Sequence, residues 1–301
     1  MPIGLITHMD TTRPEDVTDF VTNVDYASTP FMSATGEAVA TNTLHEWLVD
    51  SYDASAHNAT IESSDATTVD LSQPTRTTNV VQLFRKVIVV SDTQVAIPHY
   101  GEDNPFSYQT KKKMTEMARD FEKAMIAGTR ASGSSGVARQ MDGAIALITS
   151  NKTARASGTC LSETEFNDIL AGVYDGGTDE TIDLVLTGTY LKRVIDKFST
   201  NVTRNIEATS LKQVLRVDVY QSSFGIHEIR LSREVPSAAG SAGLLALDTS
   251  KWKKAYLVNR RPTMVPLAKT GSSTKAMVEA EFTLEALNQK SSAYRSGYHV
   301  G

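Results

Sequence analysis

Hydrophobic and polar positions follow two different periods along this chain. Over residues 101–128, Met114, Met117, Ala118, Phe121, Met125 and Gly128 recur at the three- and four-residue spacing of one helix face. Asp103 or Asn104 can cap that helix, Pro105 occupies the favoured first position, and Gly128 ends it. Its length comes to about 40 Å at the rise of an α-helix. A second helical run is predicted over residues 139–149, with Met141, Ile145 and Ile148 on one face, and GTRASGSSG between the two reads as a flexible linker. Ser162 to Glu165 form a capping box ahead of Phe166, Ile169, Leu170 and Val173, closed by Gly176 and Gly177. Residues 182–188 read as a buried strand running straight into a helix that carries Tyr190, Leu191, Val194, Ile195 and Phe198.

After a polar loop at 199–210, strand-like stretches cover 214–222, 224–232 and 244–259, and Pro262 and Pro266 bracket an exit. In residues 275–287, Ala276, Val278, Ala280, Phe282 and Leu284 alternate with Met277, Glu279, Glu281, Thr283 and Glu285. Helix propensity there is high, but period two favours a strand. The chain is therefore expected to be α+β, with this last strand returning to the body formed by the long helix.

Residues 29–94 read as a long arm. A first segment ends in the aromatic, amphipathic run TLHEWLVD. Residues 54–79 follow, where only Ile61, Val69 and Leu71 are apolar side chains larger than alanine. Residues 79–94 are again rich in β-branched side chains. Two sticky flanks around a polar excursion predict a two-stranded projection whose tip cannot bury itself on its own subunit. Loops of that length in compact domains are usually functional or disordered, so a partner is implied.

Composition is ordinary for a folded protein, and charge adds one asymmetry. Residues 1–85 contain no lysine, only Arg13, Arg76 and Arg85 against twelve carboxylates, net −9; the remainder holds 27 basic and 23 acidic residues, net +4. That split fits head-to-tail self-association, one copy's arm on another's body, and equally fits a solvated acidic face. No apolar run reaches the roughly 18 residues of a membrane span, and the N-terminus lacks the pattern of a secretory signal. A single cysteine, Cys160, excludes an intrachain disulfide framework and a thiolate zinc cage.

Candidate chemistry is sparse, and no cofactor is expected. The six histidines are scattered singly, each expected at the surface, and Cys160 is expected to be buried or inert. GTRASGSSG lacks the lysine and flanking elements of a phosphate loop, and no serine sits in a G-x-S-x-G frame. Lys111, Lys112 and Lys113 make a compact basic triplet and Arg260-Arg261 a smaller one, short of a nucleic-acid footprint. The triplet reads as a solvated helix face, a phosphate contact, or a receiver for Glu62, Asp65 or Asp70 of a neighbouring copy. Arg76 and Arg119 join these as candidate intersubunit contacts.

The order of these features resembles a known family. TPFMSATG and NTLHEWLVD lead into the acidic loop, and NVVQLFRKVIVVSDTQ, YGEDNPFSYQTKKKMTEMARDFEKAMIAG, ARQMDGAIALI, LSETEFNDIL and VDVYQSSFG follow. Over about residues 25–300 the chain resembles the major capsid (head) proteins of tailed bacteriophages, podovirus type, with the Hong Kong 97 capsid fold. The resemblance implies an N-terminal arm (1–50), an extended loop (51–92) overlying the adjacent subunit, and a peripheral domain (93–160 and 264–301) with its spine helix at 104–128. It implies an axial domain over 161–263. It further implies a non-enzymatic subunit that forms pentamers and hexamers of an icosahedral shell around double-stranded DNA, without specific DNA binding and without a membrane. A scaffolding protein, a portal and, in some relatives, a decoration protein would be partners. Assembly would take place in the bacterial cytoplasm and the product would be the virion capsid. Some relatives weld subunits through a lysine in the extended loop; with no lysine before Lys86, a non-covalent shell is expected. The matching region begins too early for a fused scaffolding segment, so a separate scaffold is expected. Two other readings stand beside this one: an α+β enzyme or ligand-binding protein with residues 54–79 as a lid, and a cellular protein-storage shell of the same fold.

Overall fold

The computed structural model describes residues 25–66, 71–99, 104–176, 180–198, 218–238 and 240–299. Residues 1–24, Val69, Asp70, Asp103, Gly177 and the polar loop and strand start within 199–217, all named in the sequence expectations, lie outside these.

One five-stranded sheet is built around a single long strand, β12 (Ser273–Ala286). β10 (Trp252–Leu257) and β11 (Thr263–Pro266) pair antiparallel with successive parts of one edge, and β4 (Gln82–Ser91) pairs along the other from Ser273↔Ser91 to Phe282↔Gln82. β1 (Gly36–Ala40) adds to β10 in parallel. The expected alternation holds: Ala276, Val278, Ala280, Phe282 and Leu284 face inward and are buried. Beyond β4 the chain makes a short helix, α2 (Asp92–Ala96), and across the inward-facing side chains lies α3 (Pro105–Ala127), whose Met117, Phe121 and Met125 are buried at helical spacing. Asn104 is the cap; its Oδ1 accepts from the N–H groups of Phe106 at 3.0 Å and Ser107 at 3.2 Å. Phe282 stacks on Phe84 at 5.1 Å, and Phe121 meets both edge-on at 4.8 Å. Met114, expected on the buried face, is exposed.

The second sheet has six strands in the order β5 (Lys152–Thr159), β13 (Ala293–Tyr298), β9 (Ala242–Leu247), β6 (Leu184–Thr187), β8 (Gly225–Leu231) and β7 (Val219–Ser222). Both of its faces are covered, which is why β6 and β9 read as unbroken apolar runs. Leu184, Leu186, Leu245 and Leu247 join the core beneath α3, whereas Val185, Leu244 and Ala246 pack with α5 (Glu163–Asp175) and α6 (Thr189–Phe198). Only half of the expected capping box forms at α5: Ser162 Oγ accepts from Glu165 N–H at 3.2 Å, while the Glu165 carboxylate turns to Arg155 at 2.7 Å and the Tyr298 hydroxyl at 2.9 Å.

Several sequence expectations change here. Residues 30–40 are not a free arm: α1 (Pro30–Ala34) buries Phe31 edge-on to Trp252 at 6.0 Å, and β1 is part of the main sheet. β4 belongs to that sheet too, so the projecting pair is β2 (Leu44–Val49) with β3 (Thr75–Val80), antiparallel from Leu44↔Val80 to Val49↔Thr75. The two sheets cut across the expected domain boundaries, since β10 joins the first and both β5 and β13 the second. The helix expected over 139–149 shrinks to α4 (Ala144–Leu147). Met141 and Ile148 are buried all the same, because an irregular chain crossing the same core buries i and i+7 as a helix would. GTRASGSSG is no free linker: bridges Ala131↔Gln140 and Ser134↔Val137 fold it into a small hairpin.

Candidate functional site: the projecting hairpin and its root

The β2–β3 pair carries residues 50–74 between its strands, and no described residue among them lies in a helix or strand. Tyr52, Ile61 and Leu71 stand essentially fully exposed there, as do the carboxylates Glu62 and Asp65. Apolar side chains in that position are covered by nothing in their own subunit. The root is the opposite. Trp47 Nε1 donates to Ala286 O at 2.8 Å and Asn79 Nδ2 to Leu284 O at 2.8 Å. His45 Nε2 lies 3.3 Å from Glu285 Oε2.

β12 presents its polar positions on the hairpin side, and they too are enclosed. Glu279 lies 2.7 Å from Arg260 and 3.4 Å from Arg85; Glu281 lies 3.4 Å from Arg139 and 3.5 Å from Arg260. Arg261 pairs with Glu37 at 2.9 Å. Arg260 and Arg261 are thus both paired with carboxylates of their own subunit.

Of the residues singled out in the sequence, Lys111 and Lys112 are exposed on α3, and Lys113 pairs with Glu116 at 2.8 Å. The contact pulls the Glu116 carboxyl below its ordinary range. Arg76 meets Glu46 across the hairpin at 3.2 Å. Arg119 lies 4.1 Å from the ring centroid of Tyr26, whose other neighbour is Arg233 at 4.6 Å, and the Tyr26 hydroxyl donates to Glu234 at 2.7 Å. The Tyr26 clasp had no sequence signal, because its two arginines lie far apart in the chain.

A second hidden contact holds α1. The carboxylate of Glu122, buried on α3, accepts from Phe31 N–H at 2.9 Å and Met32 N–H at 2.7 Å, and Lys254 Nζ donates to Met32 O at 2.9 Å. Burial pushes Glu122 up and Lys254 down from their ordinary pKa values.

His227, expected at the surface, is fully buried: Ser222 Oγ lies 2.6 Å from its Nε2, and its Nδ1 meets Ile182 O at 2.5 Å. Burial lowers its pKa. No described carboxylate hydrogen-bonds to that ring, and Ser222 Oγ also accepts from Phe224 N–H at 3.0 Å, so the pair locks the β7–β8 turn. Cys160, expected to be buried or inert, is exposed between β5 and α5. A groove of about 1250 Å³ lies between residues 27–33 and the α6/β8 surface, where acids and bases are balanced, as in Lys192–Asp196 at 3.1 Å and Arg230–Glu228 at 2.6 Å. No three described His, Cys, Asp or Glu side chains are placed to hold a metal ion, and no described helix is long and apolar enough to cross a membrane.

A β12-centred sheet under one long helix, a second sheet with two helices and a projecting hairpin together make the Hong Kong 97-type capsid fold. The capsid of the native GTA particle superposes with a TM-score of 0.69 at 12% identity, covering 95% of this chain and 96% of that one. The capsid of Myoviridae phage XM1 gives 0.67 at 13% identity over 98% and 99%. The encapsulin of Synechococcus elongatus PCC 7942 gives 0.59 at 10% identity over 93% of each chain, a likeness of fold alone. The chain matches the SU10 major capsid protein family over residues 5–298 and belongs to it. Over 101 residues it is 36% identical to the major capsid protein of Escherichia phage Phieco32; that stretch is 33% of this chain and 29% of the relative's length.

Proposed function

We propose that this protein is the shell subunit of a tailed-phage head, a non-enzymatic protein that closes pentamers and hexamers into an icosahedral capsid around double-stranded DNA. Membership of the SU10 family over nearly the whole chain carries this reading. The hairpin supplies the physical logic. Its tip exposes Tyr52, Ile61 and Leu71, and β4 at the sheet edge exposes Leu83, Val87 and Val89. Apolar side chains exposed on a projection and along a sheet edge gain by being covered, and another copy would cover them. Residues 104–128 would serve as the spine of a peripheral domain and the α5–α6 sheet as the axial domain. A separate scaffolding protein, a portal and a decoration protein are the proposed partners, with assembly in the host cytoplasm. The lid reading has little support, since the hairpin closes over no convergent reactive groups.

The test is assembly of the purified chain, alone and with a phage scaffold, followed by electron microscopy. Capsomers, tubes or shells are expected; a stable monomer that turns over a substrate would end the proposal. Within it, Lys111, Lys112 and Lys113 receive Glu62, Asp65 or Asp70 of a neighbour. Reversing all three lysines to glutamate is expected to abolish assembly or shift it strongly toward free subunits, with the fold retained. Unchanged assembly would remove these residues from the interface.

A further inference from the structure

The root of the hairpin is held by far more directional contacts than strand pairing requires. Asn79 on β3 is fully buried and uses its whole amide. Nδ2 donates to Leu284 O at 2.8 Å and Asp142 O at 3.1 Å, while Oδ1 accepts from Asp142 N–H at 2.9 Å and Val80 N–H at 2.8 Å. With Trp47 and His45, both strands of the hairpin thus grip three consecutive residues of β12, Leu284 to Ala286. Residues 128–143 close the grip from the other side. The Arg130 guanidinium donates to both Thr78 O and Thr78 Oγ1 at 3.1 Å, and Arg130 N–H donates to Asp142 Oδ1 at 2.9 Å. Met141 N–H donates to Gln82 Oε1 at 3.1 Å, and Gly143 N–H to Gly128 O at 3.0 Å.

We propose that this clamp, with Asn79 at its centre, sets the angle at which the hairpin leaves the body and hence the curvature with which copies join. Apolar packing tolerates sliding, but a buried amide with four partners has one arrangement. Tilting the hairpin would break several of these bonds together and strand buried polar groups, each costly to leave unpaired. Two of the three anchor points are backbone carbonyls of β12, and all three residues lie where β10 pairs with it, so the clamp refers the hairpin to a fixed part of the molecule. The segment expected to be a flexible linker is thereby a brace.

The inference rests on the shell-forming reading, and its test separates the two. Asn79→Ala, Arg130→Ala and Trp47→Phe, which keeps a ring but loses the N–H, are compared with wild type as full chains. Amides of residues 75–80 in Asn79→Ala are expected to exchange with deuterium roughly tenfold faster or more. Its particles are expected to spread over several diameters or to form tubes, with Arg130→Ala and Trp47→Phe shifted the same way to a smaller extent. Should Asn79→Ala not fold, the other two variants decide. Unchanged exchange, or faster exchange with a wild-type diameter distribution, overturns the proposal. A wild-type chain that forms no particles either alone or with a phage scaffold would instead overturn the shell reading and the curvature claim with it, while the exchange rates would still decide whether the clamp holds the hairpin.

Discussion

Glu122 and the pair Gly128 and Gly143 show how much of this fold is decided atom by atom. Glu122 is enclosed against the start of α1, where desolvation raises its pKa above the ordinary 4.5 more than its two N–H donors lower it. The folded chain then holds that proton more tightly than the unfolded one, so the Glu122 contribution is greatest below about 4.5 and declines as pH rises through the folded value. Urea midpoints of wild type minus Glu122→Gln, measured between about pH 4 and 7, are expected to fall with pH; parallel curves would refute this. At the end of α3, a Cβ on Gly143 would lie 2.6 Å from Gly128 N and 2.7 Å from Ile126 O, both backbone. Gly143→Ala is therefore expected to cost about 2 kcal/mol in denaturant unfolding. Gly172, inside α5 with nothing within 4 Å of an added Cβ, gives the opposite sign: Gly172→Ala should stabilise by about 0.5–1 kcal/mol. Nothing in the residue types distinguishes these glycines; only their neighbours do.

Among the elements, those with a long, clean period were legible and those without it were not. α3, α5, α6 and β12 stand where periodicity and caps put them. α4 was misjudged in length because Met141, Ile145 and Ile148 satisfy helical spacing while Asp142 and Gly143 spend their backbone groups on Asn79 and Gly128. In β12, alternation identified the strand but could not reveal that its glutamate face is also covered, by Arg85, Arg139 and Arg260 from three other segments. Phe282 is the point where β12 meets Phe84, Phe121 and Tyr256, the last at 5.5 Å. Phe282→Ala is expected to lose about 3–5 kcal/mol, read as a lowered urea midpoint with β12 still present by circular dichroism in native buffer. A loss below about 1 kcal/mol would mean that the aromatic cluster repacks freely.

At the scale of the whole molecule, the projecting hairpin and the absence of lysine from residues 1–85 bear on assembly together. Residues 1–85 offer no lysine for the weld that some relatives make from the extended loop, and Lys86 lies in β4 paired with Asp120 at 2.6 Å, so mature particles boiled in denaturant are expected to run as a single band near 32.7 kDa. A ladder of multimers would contradict this. The sequence by itself determined the α+β class, the long capped helix, the alternating strand β12 and the existence of a polar projection. These follow from local period and composition, which act within a few residues. Only the tertiary structure decided that β1 and β4 belong to the body, that residues 128–143 are a brace, and that Asn79, Tyr26 and Glu122 are fastening points. Each of those depends on hydrogen bonds or ring contacts between residues far apart in the chain, and pairing at that range leaves no periodic trace in a single sequence.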